Sequence, residues 1–363
     1  MKNKLNLLQV IRGLAAVLVV FHHVCSSSEV YFNAVWLYDF FNSSRALDIF
    51  FVLSGFIITY IHFNDLHERT NVKAFFIKRF NRIYPIFWIV SLVYLAFYMA
   101  VKTYSVHDLS SGFMIKSFLL IDTKIPPMVR VAWTLCYEVI FYLVFGICIA
   151  FGLRVAKIIW ALWLLVTIAC YFLLPEDSVP YPFNNFIIGI LIGCFTGYAL
   201  RLMPLKNMAE SAIKFRYRSL LSAGMFIFAV MWGLTFFTDF GQKTAIESRI
   251  ILGVGAALII LGAAIANLQR NIKVPKLLVL IGDASYLIYL THYLVLALFY
   301  KAATRYPQMH SSGLRVFLLG SCASIVAVVF GVIAHQIIEK PVLRFLNRIT
   351  LNKKPTLEFN SPG

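Results

Sequence analysis

Apolar residues crowd into ten stretches along the chain, at 7–24, 47–62, 83–101, 131–152, 158–174, 184–200, 219–237, 249–267, 284–301 and 314–338. Each approaches the roughly 20 residues that a helix needs to cross the hydrocarbon core of a bilayer. Backbone polar groups find no water partners in lipid, so such stretches must satisfy their own hydrogen bonds as helices. The pattern predicts an all-α fold, a polytopic membrane bundle of about ten transmembrane helices. Basic residues punctuate it: they gather in 64–82, in 201–218 and after Glu339, whereas the short connection 175–183 has none. Lys and Arg favour the cytoplasmic side of a membrane protein, which puts both termini there. Residues 1–350 are expected to form a single membrane domain and 351–363 a short polar cytoplasmic tail.

Composition supports this setting. The chain is 60% hydrophobic and 13% charged, with a mean hydropathy of +0.80, where soluble domains are about 45–50% apolar and about 25% charged. A net charge of +17 would suit nucleic acid, but no soluble fold carries the basic residues as a stripe, and in a polytopic protein they oppose anionic headgroups. The lipid bilayer is the expected partner, and nucleic acid is not. Cys25, Cys136, Cys148, Cys170, Cys194 and Cys322 fall singly in or beside apolar stretches without CxxC or metal-ligand spacing. They read as packing residues, and no metal is expected. Lys2 and Lys4 ahead of an apolar run fit a signal peptide, yet that run holds Arg12, His22 and His23 and ends without a small-x-small cleavage site. A retained first span is expected. Gly253, Gly255 and Gly262 predict close helix packing, since no strand and no GxGxxG spacing accompany them.

Charged residues within spans are costly and mark wet, protein-lined paths. At about 100° and about 1.5 Å per residue, Arg12 and His23 share one face of the first helix about 16 Å apart, while His22 points elsewhere. Asp48 begins the second, oppositely directed span and so lies at the depth of His23, where a carboxylate can orient an imidazole. The alternative is a pair of interfacial residues that merely touch water. In the run Ile49 to Phe56, Gly55 permits close backbone approach on the face of Asp48. Arg79 and Arg82 are i, i+3 neighbours if helical, either a fork for phosphate oxygens or a positive-inside anchor. Glu138 lies about 10 Å deep in the fourth span, either functional or in a structural hydrogen bond. Ser285, Tyr289 and His292 share a face of the ninth span with Tyr286 beside them, and Glu339-Lys340-Pro341 reads as a structural helix end.

Together these residues resemble a known family. Arg12 and His23 with Gly-Leu-Ala-Ala-Val between them, Asp48 with Phe-Phe-Val-Leu-Ser54-Gly-Phe, Arg79-x-x-Arg82-x-Tyr-Pro, Trp-Thr-Leu-x-x-Glu138, Ser285-Tyr286-x-x-Tyr-x-x-His292 and Glu-Lys-Pro are similar to the acyltransferase-3 family of integral-membrane O-acyltransferases. The likeness runs from about residue 7 to 345 and points to the stand-alone exopolysaccharide and O-antigen O-acetylases. Some family members carry an additional extracytoplasmic SGNH hydrolase-like domain, which is not expected here.

The resemblance implies an acyl-CoA donor, usually acetyl-CoA, a hydroxyl of a carbohydrate, free or lipid-linked, as acceptor, and a bacterial cytoplasmic (inner) membrane. It assigns His23 as general base with Asp48 as orienting group. Glu138 and His292 are placed with sugar hydroxyls or a proton relay, with Tyr286, Ser285 and Ser54 in substrate binding. Arg79 and Arg82 become candidates for the CoA phosphates, and Arg12 for the pantetheine arm or the thioester oxygen. Direct transfer and an acyl-His23 intermediate both remain open. The competing readings are a secondary transporter, which would show related halves with broken helices, a polymer-binding scaffold, and an acyltransferase with a non-glycan hydroxyl acceptor.

Overall fold

The computed structural model describes residues 5–34, 45–69, 71–101, 110–121, 126–205, 208–237, 246–269, 272–307 and 313–350. All regular structure among them is helical. In chain order the elements are α1 (Asn6–Phe32), α2 (Ala46–Ile61), α3 (Phe63–Glu68), α4 (Val72–Val101), α5 (Ser111–Leu119), α6 (Trp133–Phe151), α7 (Leu153–Leu173), α8 (Phe186–Leu202), α9 (Glu210–Phe237), α10 (Ile246–Gln269), α11 (Lys276–Asp283), α12 (Ser285–Ala303), α13 (Gly313–Ala334) and α14 (Lys340–Thr350). A five-residue π turn, His335–Glu339, joins the last two. The expected tail, 351–363, falls outside the described residues.

Every one of the ten apolar stretches coincides with a helix, and the chain folds as a polytopic helical bundle. Seven helices among the described residues are long and apolar enough to cross a membrane. Helices α2 and α8 are shorter, at 16 and 17 residues, or about 24 Å against a hydrocarbon core of about 30 Å. Helix α4 begins at Val72, so the basic segment 64–82 is largely helical and carries Arg79 and Arg82. Helices α5 and α11, of 9 and 8 residues, are too short to register as spans. Sequence signals do explain their ends: Ser110 caps α5 by accepting from the Phe113 N–H, satisfying an otherwise orphaned donor.

The short pair α2 and α8 forms the middle of the bundle by direct backbone contact. A Cβ on Gly55 would stand 2.0 Å from the Ile190 carbonyl oxygen, and one on Gly193 would stand 2.1 Å from that of Val52. Only glycine allows two helices to approach this closely. Helix α11 meets α1 in the same way, with a Gly282 Cβ falling 2.0 Å from the Gln9 carbonyl oxygen. Gly255 and Gly262 likewise pack α10 on α9, as their sequence context predicts. Away from these seams, large apolar side chains such as Leu165, Phe172, Phe226 and Ile325 are exposed, which is how a lipid-facing surface is built. All six cysteines are free, four of them buried.

Replacing Gly55 by valine should destabilise the bundle by about 1–3 kcal/mol or more, because the added carbons meet backbone that cannot yield. Gly112→Ala, where an added Cβ meets nothing within 4 Å, should leave stability equal or slightly higher. Thermal unfolding in detergent reads both; a Gly55→Val protein as stable as the parent would contradict the backbone contact.

Candidate active site

Six helices converge on one cavity of about 150 Å³. Arg12 enters it from α1, Ser54 from α2, Arg79 and Arg82 from α4, Thr134, Glu138 and Tyr142 from α6, Ile190 from α8, and Ser285, Tyr286 and Tyr289 from α12. The expected helical spacing of Arg79 and Arg82 therefore holds, and it aims both guanidiniums at one space. Apolar walls are supplied by Leu47, Phe50, Phe51 and Leu135. Such a mixture, mostly apolar with a few convergent polar groups, is the usual form of a small-molecule site.

The charged groups are held in different ways. Arg82 donates to Glu339 Oε1 at 2.7 Å and lies over the Tyr286 ring. The other oxygen of Glu339 meets His335 Nδ1 at 2.8 Å, and Glu339 itself is fully buried. Glu339 is thus more than a helix end: the π turn carries it inward to hold Arg82, and π segments of this kind recur at functional sites. Arg79 stacks against Phe75 and Tyr142 and leaves its buried Nε without a partner. Arg12 has a long bond to Gln9. Glu138 accepts a hydrogen bond from Tyr142. Ser285, buried at 1% exposure, leaves its Oγ unpartnered beside the cavity. An orphaned buried hydroxyl costs about 1–3 kcal/mol unless a ligand satisfies it.

The expected pairing of His23 with Asp48 is not formed. Arg249 Nη1 donates to both carboxylate oxygens of Asp48, at 2.9 and 3.0 Å, and its guanidinium lies over Phe186. The ion pair is almost fully buried, and it joins residues 201 apart in the chain. Equal depth along two helices says nothing about which way each side chain faces, and Asp48 faces α10. His23 instead sits in an aromatic cluster, with ring centroids 5.0 Å from His22, 5.1 Å from His292 and 5.5 Å from Tyr293. His22, expected on another face, is therefore still an edge-on neighbour.

His23 does not line the cavity but is linked to it. Tyr289 borders the cavity, its ring lies 5.9 Å from His292, and His292 leads to His23. His292 Nδ1 is 3.1 Å from the Ile288 carbonyl oxygen. A carbonyl only accepts, so Nδ1 carries the proton and the neutral ring keeps its lone pair on Nε2. That nitrogen is buried and unpartnered. Among the described residues, no group of three or more His, Cys, Asp or Glu has metal-binding geometry.

The acyltransferase domain of the acyltransferase-3 type matches residues 5–336. The chain belongs to the acyltransferase-3 family. It is 28% identical to the exopolysaccharide production protein ExoZ of Rhizobium meliloti over 83% of this chain and 90% of that protein. It is 23% identical to the acyltransferase MdmB of Streptomyces mycarofaciens over 84% of this chain and 82% of that one. With the O-acetyltransferase OatA of Staphylococcus aureus it shares 24% identity over 78% of this chain but only 49% of OatA. No solved structure matches it. The protein is an acyltransferase and a multi-pass membrane protein.

Within this acyltransferase, sequence reasoning found the cavity residues Arg12, Ser54, Arg79, Arg82, Glu138, Ser285, Tyr286 and Tyr289, missed Arg249, Thr134 and Tyr142, and read Glu339 only as a helix end. Two signals were available: an arginine heading the apolar stretch 249–267, and at Glu339 a carboxylate 19 residues from the next acid, Glu358. Neither discloses its partner. Replacing Arg249 by methionine should cost about 3–5 kcal/mol, because Asp48 loses its bonded counter-charge in an apolar bundle. The double change Asp48→Leu with Arg249→Met should recover most of that loss. Unfolding midpoints in detergent decide it: equal losses in the single and double variants would exclude a structural ion pair.

Proposed function

We propose that the protein transfers an acetyl group from acetyl-CoA to a hydroxyl of a cell-surface carbohydrate, as an integral protein of a bacterial cytoplasmic membrane with residues 1–350 acting as one domain. The observation that carries this reading is the cavity in which Arg12, Arg79 and Arg82 meet Glu138 and the unpartnered Ser285 hydroxyl. Three guanidiniums in one apolar chamber suit a donor that is polyanionic at one end and acylated at the other. The name of the exopolysaccharide relative supports a glycan acceptor.

In the reaction, the acceptor oxygen attacks the thioester carbonyl while a base removes its proton, a tetrahedral oxyanion forms, and the thiolate departs and is protonated as CoA. His23 is the base, and His292 takes the place that Asp48 was expected to fill. Its Nε2 lone pair, fixed by the Ile288 bond, accepts a proton or a hydroxyl hydrogen beside the His23 ring. Arg79 and Arg82 hold donor phosphates, with Glu339 keeping Arg82 extended. Arg12 stands between the phosphates and the acyl end and holds the pantetheine arm. Ser285, Ser54 and Tyr286 orient the substrate arm, and Glu138 the acceptor.

Sealed, oriented vesicles test this. Acetyl-CoA should act only from the cytoplasmic face, with the glycan accepting at the other. His23→Ala should still bind donor but lose about 10²–10⁴-fold in transfer, while His22→Ala loses far less. Full activity in His23→Ala would remove the assigned base, and acylation with both substrates confined to the cytoplasmic compartment would refute transfer across the membrane.

A further inference from the structure

Beside the cavity, where α2 ends, lies a group of side chains that the reaction does not use. His62, the residue following α2, is buried. Its Nδ1 stands 2.6 Å from Asp65 Oδ2 on α3, and its Nε2 stands 3.4 Å from Arg79 Nη2 on α4. Asn71 Nδ2 donates to the second oxygen of Asp65 at 3.2 Å. The ring is walled by Phe75 of α4 and Phe145 of α6.

This geometry fixes the protons. A guanidinium has donors only, so the nitrogen that faces Arg79 must offer a lone pair, and the nitrogen that faces Asp65 must carry the hydrogen. Asp65 thereby selects the tautomer of His62, and His62 in that tautomer supplies a hydrogen-bond acceptor to Arg79. Arg79 also lies over the Phe75 ring and bonds the Tyr142 hydroxyl. His62 adds a second, nitrogen acceptor that fixes the guanidinium from the side of α2.

We propose that Asp65 and His62 form a positioning pair that holds Arg79 toward the donor, so that donor affinity depends on the protonation state of His62. This rests on the reading of Arg79 as a donor-binding residue. On protonation, His62 gains a hydrogen on Nε2; the acceptor is lost, and two cations face each other. The charged groups around His62 are Asp65 on α3 and Lys78 and Arg79 on α4. Burial pushes His62 below its ordinary value, with Arg79 and Lys78 acting in the same direction and the bond from Asp65 opposing them. Burial alone would raise the Asp65 carboxyl, but its bonds to His62 and Asn71 outweigh that and hold it below the usual carboxylate value. The His62–Arg79 contact is therefore intact at neutral pH and is lost only in acid, at a pH below the ordinary histidine value of about 6.5.

The test is the KM for acetyl-CoA of the full chain in lipid nanodiscs between pH 5 and 8, for wild type, His62→Gln and Asp65→Ala. Donor phosphates titrate in the same range, so the readout is the ratio of variant to wild-type KM at each pH. At pH 7.5 the ratio should be about three to ten with kcat unchanged, the size of one hydrogen bond, and it should fall toward one in acid as wild type loses the contact too. Asp65→Ala, at a more exposed position, carries the test if His62→Gln does not insert. A ratio of one throughout, or a raised ratio that ignores pH, overturns the positioning role while leaving the donor reading intact. Wild type with no saturable dependence on acetyl-CoA overturns the donor reading itself, and the positioning role with it.

Discussion

Taking a guanidinium or a carboxylate out of water costs several kcal/mol unless another group answers its charge, and that cost decides where the charged residues of this bundle can stand. Asp48 and Arg249 answer each other across α2 and α10. Arg82 is answered by Glu339 and a tyrosine ring, with His335 behind the carboxylate. Arg12 and Arg79 have weaker partners, a long bond to Gln9 for the one and aromatic faces with His62 for the other. Both border the cavity. Arg82 borders the cavity too, but its charge is already answered, whereas Arg12 and Arg79 keep donors for a ligand to complete.

The cavity exists because its walls come close. Glycines at Gly55 and Gly193 let α2 and α8 touch backbone to backbone, and this short pair packs among seven helices that are long and apolar enough to cross a membrane. Side chains that would otherwise fill the seam are turned to either side. Ser54 on one flank of Gly55 then lines the cavity. The packing that makes the bundle dense at its centre is what leaves an ordered chamber next to it.

Much of this was legible in the sequence, and the reason differs from residue to residue. Spans could be read because bilayer thickness imposes a length, and the shared face of Arg79 and Arg82 because helical periodicity imposes one. The packing role of Gly55 followed from its small size. Asp48 was misread because position along a helix gives depth but not azimuth; its partner lies 201 residues away, and nothing local announces it. Glu339 was taken for a helix end because the π turn that swings it inward has no simple sequence signal. The short helices α5 and α11 escaped because eight or nine residues are too few to stand out in a membrane-length window.

The proposed chemistry divides the bundle into a donor chamber walled by three arginines and an outer cluster of His22, His23 and His292, joined through Tyr289. About 16 Å of helix separates Arg12 from His23, a distance that the arm of the donor, and not its charged head, must bridge. The most direct measurement is cryo-electron microscopy of the protein with a non-transferable thioether analogue of acetyl-CoA. Density for the phosphates should lie against Arg79 and Arg82, with the acyl end passing Ser285 and Tyr289 toward His292 and His23. Phosphate density on the histidine side, or an analogue bound outside the cavity altogether, would contradict it.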